Sequence, residues 1–242
     1  MQPRKILLLN TLGLLLIATW WLTYPTVWSR LDDGVFWFFN QFVTADHRHW
    51  TETLAFLNLR IFDAIAFVTM ALLFFVACMR DSAPERVWRW FGIGLTMLVT
   101  AALLALFTTK GIRYGHPSPT LVFENAHRLT DIVTIPAKDA SANSFPGDHG
   151  LMLMVFASFM LRFSDRMIGA LSVAFVVLLS APRIMVGAHW FSDVYMGALA
   201  IALMVLPWIL YTPLATCCVG RIVTIARRIC PSSEGHRHTQ RH

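Results

Sequence analysis

The stretch APRIMVGAHWFSDV, residues 181–194, sets His189 and Asp193 four residues apart. On a helix that spacing puts both side chains on one face, close enough to hydrogen-bond. A carboxylate on one imidazole nitrogen fixes the tautomer and leaves the other nitrogen as a nucleophile. Arg183 stands six residues before the histidine, with Gly187 between them to turn the chain back. A planar guanidinium grips phosphate through two parallel hydrogen bonds, so this trio points to an anionic substrate. An isolated His-x-x-x-Asp is more often a pair that merely satisfies itself at a helix end, and Arg183 weakens that reading.

A second stretch, SANSFPGDHG (141–150), breaks the chain at Pro146-Gly147-Asp148 just before an apolar run. A helix starting there offers free N–H groups and a positive dipole end, and Gly147 lets an anion approach the backbone. His149 is then placed to protonate a leaving oxygen. Capping by Ser144 or Asp148 explains the turn without chemistry but does not call for a histidine. In a third stretch, KGIRYGHPSPT (110–120), Lys110, Arg113 and His116 gather beside the end of another apolar run. Snorkelling of long basic side chains at a membrane surface is the competing account of these cations.

Membrane helices must position these residues. The chain has 242 residues, 56% of them hydrophobic and 14% charged. Its mean hydropathy is +0.57. A soluble domain of this length cannot hide so much apolar surface, whereas a multi-span membrane protein can show it to lipid. A crossing needs about 20 apolar residues, and six runs are predicted to cross: 6–24, 61–79, 87–108, 150–163, 167–182 and 191–211. The first reads as a retained helix, because no small-residue cleavage site follows it. The aromatic segment 32–43 is too short to span and is expected to lie in the interface, with 51–57 as a second piece. Residues 121–133 carry Phe123, Ala126, Leu129 and Ile132 at helical spacing and are expected to form a packed lid helix with His127 and Arg128 on its polar face.

Six spans put both termini on one side. That side holds twelve of the 20 Lys and Arg residues, so the positive-inside rule makes it cytoplasmic. The outer loops 109–148 and 182–189, with all three chemical stretches, then share the opposite face. Trp20, Trp21, Trp28, Trp37, Trp50 and Trp190 fall near that outer edge as an aromatic belt. The net charge of +6 is thereby a matter of topology, and the basic tail is a lipid anchor, not a nucleic-acid arm. Division at 215/216 separates the membrane unit, 1–215, from the tail, 216–242. Cys78, Cys217, Cys218 and Cys230 form neither a disulfide framework nor a metal cluster.

Together the three stretches resemble the type 2 phosphatidic acid phosphatase (PAP2) superfamily of membrane phosphatases and phosphotransferases. Its pattern is a Lys followed by Arg-Pro, then Pro-Ser-Gly-His, then Ser-Arg, five residues, His, three residues, Asp. Arg183, His189 and Asp193 keep the third spacing, with Pro182 in the place of the Ser. Gly147 and Asp148 replace the Ser and Gly of the second. His116-Pro117 takes the Arg-Pro place, Lys110 stands one residue closer than the pattern, and Arg113 or Lys138 is left to replace the missing clamp cation.

The resemblance implies an all-α, six-transmembrane-helix bundle with a long periplasmic loop between the third and fourth spans. It implies His189 as nucleophile oriented by Asp193, His149 as proton donor, and phosphate held by Arg183, Lys110 and the helix start at Gly147. Asp148 and Ser144 would tune that site, and no metal or cofactor is needed. The run KDAS…SFPGDHG and the PR…GAHWF pattern also resemble the branch that phosphorylates lipid A in Gram-negative inner membranes. That branch implies undecaprenyl diphosphate as donor and the 1-phosphate of lipid A as acceptor. The same residues would serve hydrolysis of a lipid phosphate; simple binding of an anionic head group would have no use for the His-Asp pair.

Overall fold

The computed structural model describes residues 1–112 and 114–229, and among them every regular element is helical. Helix α1 (Pro3–Thr23) starts on a proline, whose missing N–H costs nothing in a first turn. It runs through a π-helical turn (Tyr24–Trp28) that accommodates Pro25, and on into α2 (Ser29–Asn40). The segment expected to lie apart in the interface is therefore largely the far end of one 38-residue helix, Pro3–Asn40. Polar residues Arg30, Asp32 and Asp33 interrupt the apolar pattern without breaking the backbone, which is why composition alone divided it.

After α3 (Arg48–Leu57), close to the expected second piece, come α4 (Arg60–Arg80) and α5 (Arg86–Gly111). The expected lid helix over 121–133 does not form. It is replaced by two single turns, α6 (Pro119–Val122) and α7 (Leu129–Ile132). Their separation follows from bonds to the rest of the protein: Asn40 holds the His127 backbone, and Asp139 accepts from the Thr130 N–H and hydroxyl and from Arg128. Then follow α8 (Asp148–Phe163), α9 (Arg166–Met185), a second π-helical turn (Asp193–Ala198) leading into α10 (Leu199–Leu210), and α11 (Pro213–Ile229).

Five of these segments are long and apolar enough to cross a membrane: Pro3–Asn40, Arg60–Arg80, Arg86–Gly111, Arg166–Met185 and Asp193–Leu210. The predicted fourth crossing, α8, has 16 residues, about 24 Å of helix, and falls short by length. It is nonetheless the centre of the bundle. Leu151, Val155, Phe159 and Met160 are fully buried there against α9, α10 and α5. Around it α1, α4 and α5 turn Leu7, Trp21, Phe67, Leu103 and other large apolar side chains outward, as lipid-facing helices do.

The boundary expected at 215/216 falls inside α11, which packs against α5 with Ala215, Val219 and Ala226 buried. Its one apolar face gives those residues a partner, so the first half of the expected tail belongs to the bundle. Residues 230–242, with Cys230, lie outside the described residues.

The bundle has two polar ends. At one, the Gln2 N–H donates to Tyr211 O, Arg162 Nε to Leu210 O, Arg80 pairs with Asp165, and Arg227 with Glu85. At the other, the loop from α5 to α8 is stitched to itself and to the α9–α10 turn. Ser118 and Ser141 exchange bonds, the Thr120 hydroxyl donates to the carbonyls of Asp139 and Gly187, and the Lys138 N–H donates to Asn58 O.

Candidate active site

The α9–α10 turn is built around Gly187, at φ +76°, a left-handed conformation that favours glycine. A Cβ there would stand 2.6 Å from Phe36 Cε2 and 2.8 Å from Thr120 Cγ2. The turn sends the chain back so that the N–H groups of Ala188 and His189 both reach Arg183 O. Arg183 and His189, six residues apart, thus come to one place, as the spacing predicts.

His189 is buried, and its Nδ1 lies 2.8 Å from Ser144 O. A carbonyl can only accept, so Nδ1 carries a proton, and in the neutral ring the lone pair is on Nε2. The expected orienting partner, Asp193, is 3.7 Å from Nδ1, beyond hydrogen-bonding range. Its fully buried carboxylate accepts instead from the Trp190 N–H at 2.8 Å and faces His116 Nδ1 at 3.0 Å. Asp193 therefore organises the turn and the 112–147 loop around the histidine, while a backbone carbonyl sets its tautomer. Trp190 is likewise not part of a surface belt: it is 7% exposed, packs on His116 and Phe123, and donates to Pro117 O.

The start of α8 differs from the open anion cradle expected. Gly147 is the N-cap; its N–H is used by Asp193 O at 3.0 Å, and the His149 N–H by Asp148 Oδ1 at 2.8 Å. Packing demands a glycine there, because a Cβ would meet Val194 Cγ2 at 2.7 Å. Ser144 does not cap the helix either. Its hydroxyl donates to His116 O, and its carbonyl serves His189.

Around His189 the side chains alternate in sign. Its Nε2 is 4.0 Å from Asp148 Oδ1, which is 3.4 Å from His149 Nδ1. His149 Nε2 is 3.1 Å from Asp63 Oδ1, which in turn accepts from Arg183 Nη2 at 2.7 Å. Hydrogen bonding to His149 holds the Asp148 carboxyl well below the usual carboxylate range. Arg183 is 4% exposed and its Nη1 is buried with no partner among the described residues. An orphan guanidinium nitrogen of this kind costs free energy unless something accepts from it, and a phosphate oxygen is suited to do so. A cavity of about 310 Å³ opens here, lined by Asp63, Asp148, His149 and Arg183 and by apolar residues such as Phe67 and Met152.

Four expected site residues stand differently. His116 has its Nδ1 committed to Asp193 and is stacked on Tyr114. Lys110 ends α5, and Lys138 lies in the loop; both are exposed and in no ion pair among the described residues. Arg113 lies outside the described residues. Sequence reasoning missed Asp63, in the first turn of α4 and 120 residues from Arg183. The signal was present, since a carboxylate inside an apolar run is costly and marks function by default. It also missed Asp32, 3% exposed, which accepts from the Ser192 N–H and hydroxyl and so anchors the α9–α10 turn to α2.

Residues 90–217 match the PAP2 superfamily. Over 233 residues the chain is 36% identical to the lipid A 1-diphosphate synthase of Escherichia coli (strain K12), covering 96% of each chain. No solved structure matches it.

Proposed function

The chain belongs to the PAP2 superfamily, and from that premise we propose that it moves the terminal phosphate of undecaprenyl diphosphate onto the 1-phosphate of lipid A. The products are lipid A 1-diphosphate and undecaprenyl phosphate. The observation that carries this reading is the contact of His189 Nδ1 with Ser144 O, which in the neutral ring leaves the lone pair on Nε2, 4.0 Å from the Asp148 that also meets His149.

Nε2 attacks the terminal phosphorus, and the bond from that phosphorus to the bridging oxygen breaks. His149 supplies a proton to the departing oxygen, while Arg183, through Nη1, takes the charge gathering on the equatorial oxygens. The phosphohistidine keeps its Nδ1 proton on Ser144 O. The acceptor phosphate then gives a proton back to His149 as its oxygen attacks the same phosphorus, the P–N bond breaks, and Nε2 recovers its lone pair. Lys110 and Lys138, both exposed, add positive charge at this end of the bundle. The likeness to the E. coli synthase over nearly the whole chain favours lipid A, and transfer over hydrolysis.

The topology belongs to the same reading: six crossings in a bacterial inner membrane, both termini cytoplasmic, the site periplasmic. In support, α8 runs from His149 at the site to Arg162, whose Nε donates to Leu210 O at the end that also holds Gln2. It therefore joins the same two polar ends as its longer neighbours, despite having 16 residues.

Purified protein in detergent, given polyprenyl diphosphate labelled on its terminal phosphate, tests the reaction. Label moving onto lipid A with little free phosphate is the expected result. Label released as inorganic phosphate at the same rate with or without lipid A would make the protein a hydrolase.

A further inference from the structure

We propose that Asp63 is a specificity-determining residue: a resident carboxylate that occupies the phosphate contacts of Arg183 and His149 until a ligand more highly charged than a single phosphate displaces it. The inference rests on the reading of Arg183 and His149 as phosphate-binding groups.

The geometry separates this role from that of a structural salt bridge. Asp63 Oδ1 lies 2.7 Å from Arg183 Nη2 and 3.1 Å from His149 Nε2, and Oδ2 lies 3.0 Å from the same Nη2. One carboxylate thus meets two donors contributed by two other helices, as two oxygens of a phosphate would. A carboxylate serving only to neutralise a buried arginine would be buried with it. Here the Arg183 side chain is 5% exposed while that of Asp63 is 36% exposed, at the wall of the cavity and free to turn toward water. Arg183 Nη1 is buried with no partner among the described residues, so an incoming anion reaches the guanidinium through the contacts that Asp63 holds.

A ligand therefore takes Nη2 and His149 Nε2 by driving Asp63 out. That exchange pits the ligand's charge against that of Asp63, with the ionised Asp148 adding repulsion from the far side of His149. Inorganic phosphate carries between one and two negative charges at neutral pH, whereas inorganic pyrophosphate carries more and spreads them over two phosphoryl groups. At the donor position the resident carboxylate therefore discriminates against free phosphate and single phosphomonoesters in favour of diphosphates.

The test is calorimetric binding of inorganic phosphate and inorganic pyrophosphate to the full-length protein in detergent. Wild type is compared with Asp63→Asn, Asp63→Gln and Arg183→Ala. Each variant is first checked for a single gel-filtration peak and an unfolding temperature near that of wild type, and the Asn and Gln variants cover for each other if one fails. Both keep an acceptor for Arg183 and remove the competing charge. Phosphate should then bind about 3- to 10-fold more tightly, pyrophosphate less than about twofold more tightly, so that the preference for pyrophosphate shrinks. A purely structural Asp63 would give the opposite sign, since a loosened Arg183 binds both ligands more weakly. Unchanged or weakened phosphate binding overturns the proposal, and so does equal tightening of both ligands. If Arg183→Ala abolishes phosphate binding while Asp63→Asn leaves it unchanged, the resident-anion role alone is lost. If Arg183→Ala binds phosphate as wild type does, the reading of Arg183 as a phosphate clamp falls, and this inference with it.

Discussion

At the site, the Arg183 side chain is 5% exposed and reaches Asp63 across 120 residues of sequence; at the other end of the bundle, Arg227 is 64% exposed and pairs with Glu85. Both are arginine–carboxylate pairs between distant segments. A buried guanidinium has given up its water, so every unmet donor on it is expensive and every partner is directional. An exposed pair keeps most of its hydration and is worth about 0–1 kcal/mol. The basic end thus needs only a surplus of charge, which any arrangement of arginines supplies. The site end needs particular atoms at particular distances. Charge counting can read the first, while only geometry reads the second.

The widest gap between the ends should appear in turnover. His189→Ala removes the proposed nucleophile and should cut phosphoryl transfer by at least about 10³-fold, with the fold retained. Arg227→Ala should leave transfer unchanged. Rates with labelled diphosphate on the two purified variants measure the gap. Comparable losses in both would mean that the ends are not functionally distinct.

Glycines sharpen the contrast in stability. Gly187 is held at φ +76° against Phe36 and Thr120, whereas a Cβ on Gly220 in α11 meets nothing within 4 Å. Gly187→Ala combines a left-handed backbone with overpacking and should cost about 2–4 kcal/mol. Gly220→Ala should be neutral or stabilise by up to about 1 kcal/mol, because alanine is the better helix former. Thermal unfolding in one detergent ranks them.

The carboxylates give a smaller version of the same contrast. Asp63→Leu leaves Arg183 buried with both terminal nitrogens unpaired and should cost about 1–3 kcal/mol. Glu85→Ala frees an arginine already in water and should leave the unfolding temperature nearly unchanged. Equal costs would mean that the Asp63 pair is as solvated as the surface one.

The same division explains what could be read from the sequence. The helical class, most of the helix positions and the sharing of one end by Arg183, His189 and His149 follow from apolar run lengths and short-range spacing, both local properties. The continuity of α2 with α1 is not legible because hydropathy marks polarity, whereas an unbroken backbone through Trp28 and Ser29 has no signature in side-chain type. The single helix expected over 121–133 was misjudged because its apolar spacing was real but the bonds from Asn40 and Asp139 outweighed it. At the site, the His189–Asp193 spacing put the two side chains near each other but could not foresee Ser144 O, 45 residues away, as the hydrogen-bond acceptor. Asp63 lies still further off in sequence, and only tertiary packing brings it to Arg183.

The smallest effect expected lies wholly at the basic end and tests whether exposure is the deciding variable there. Asp165 performs two tasks: it pairs with Arg80 at 2.9 Å, and as N-cap of α9 it accepts from the N–H groups of Met167 and Ile168. The side chains of Arg80 and Asp165 are 49% and 38% exposed, so the pair itself should contribute less than about 0.5 kcal/mol. The cap satisfies backbone donors that have no other partner in the first turn and is worth about 1 kcal/mol. Arg80→Ala should therefore be nearly silent, Asp165→Ala should cost about 1 kcal/mol, and Asp165→Asn should recover most of that loss, because an amide oxygen caps as well as a carboxylate. If Asp165→Asn were as damaging as Asp165→Ala, the charge would matter more than the cap. The exposed ion pairs of this end would then be contributing in a way that their solvation does not allow.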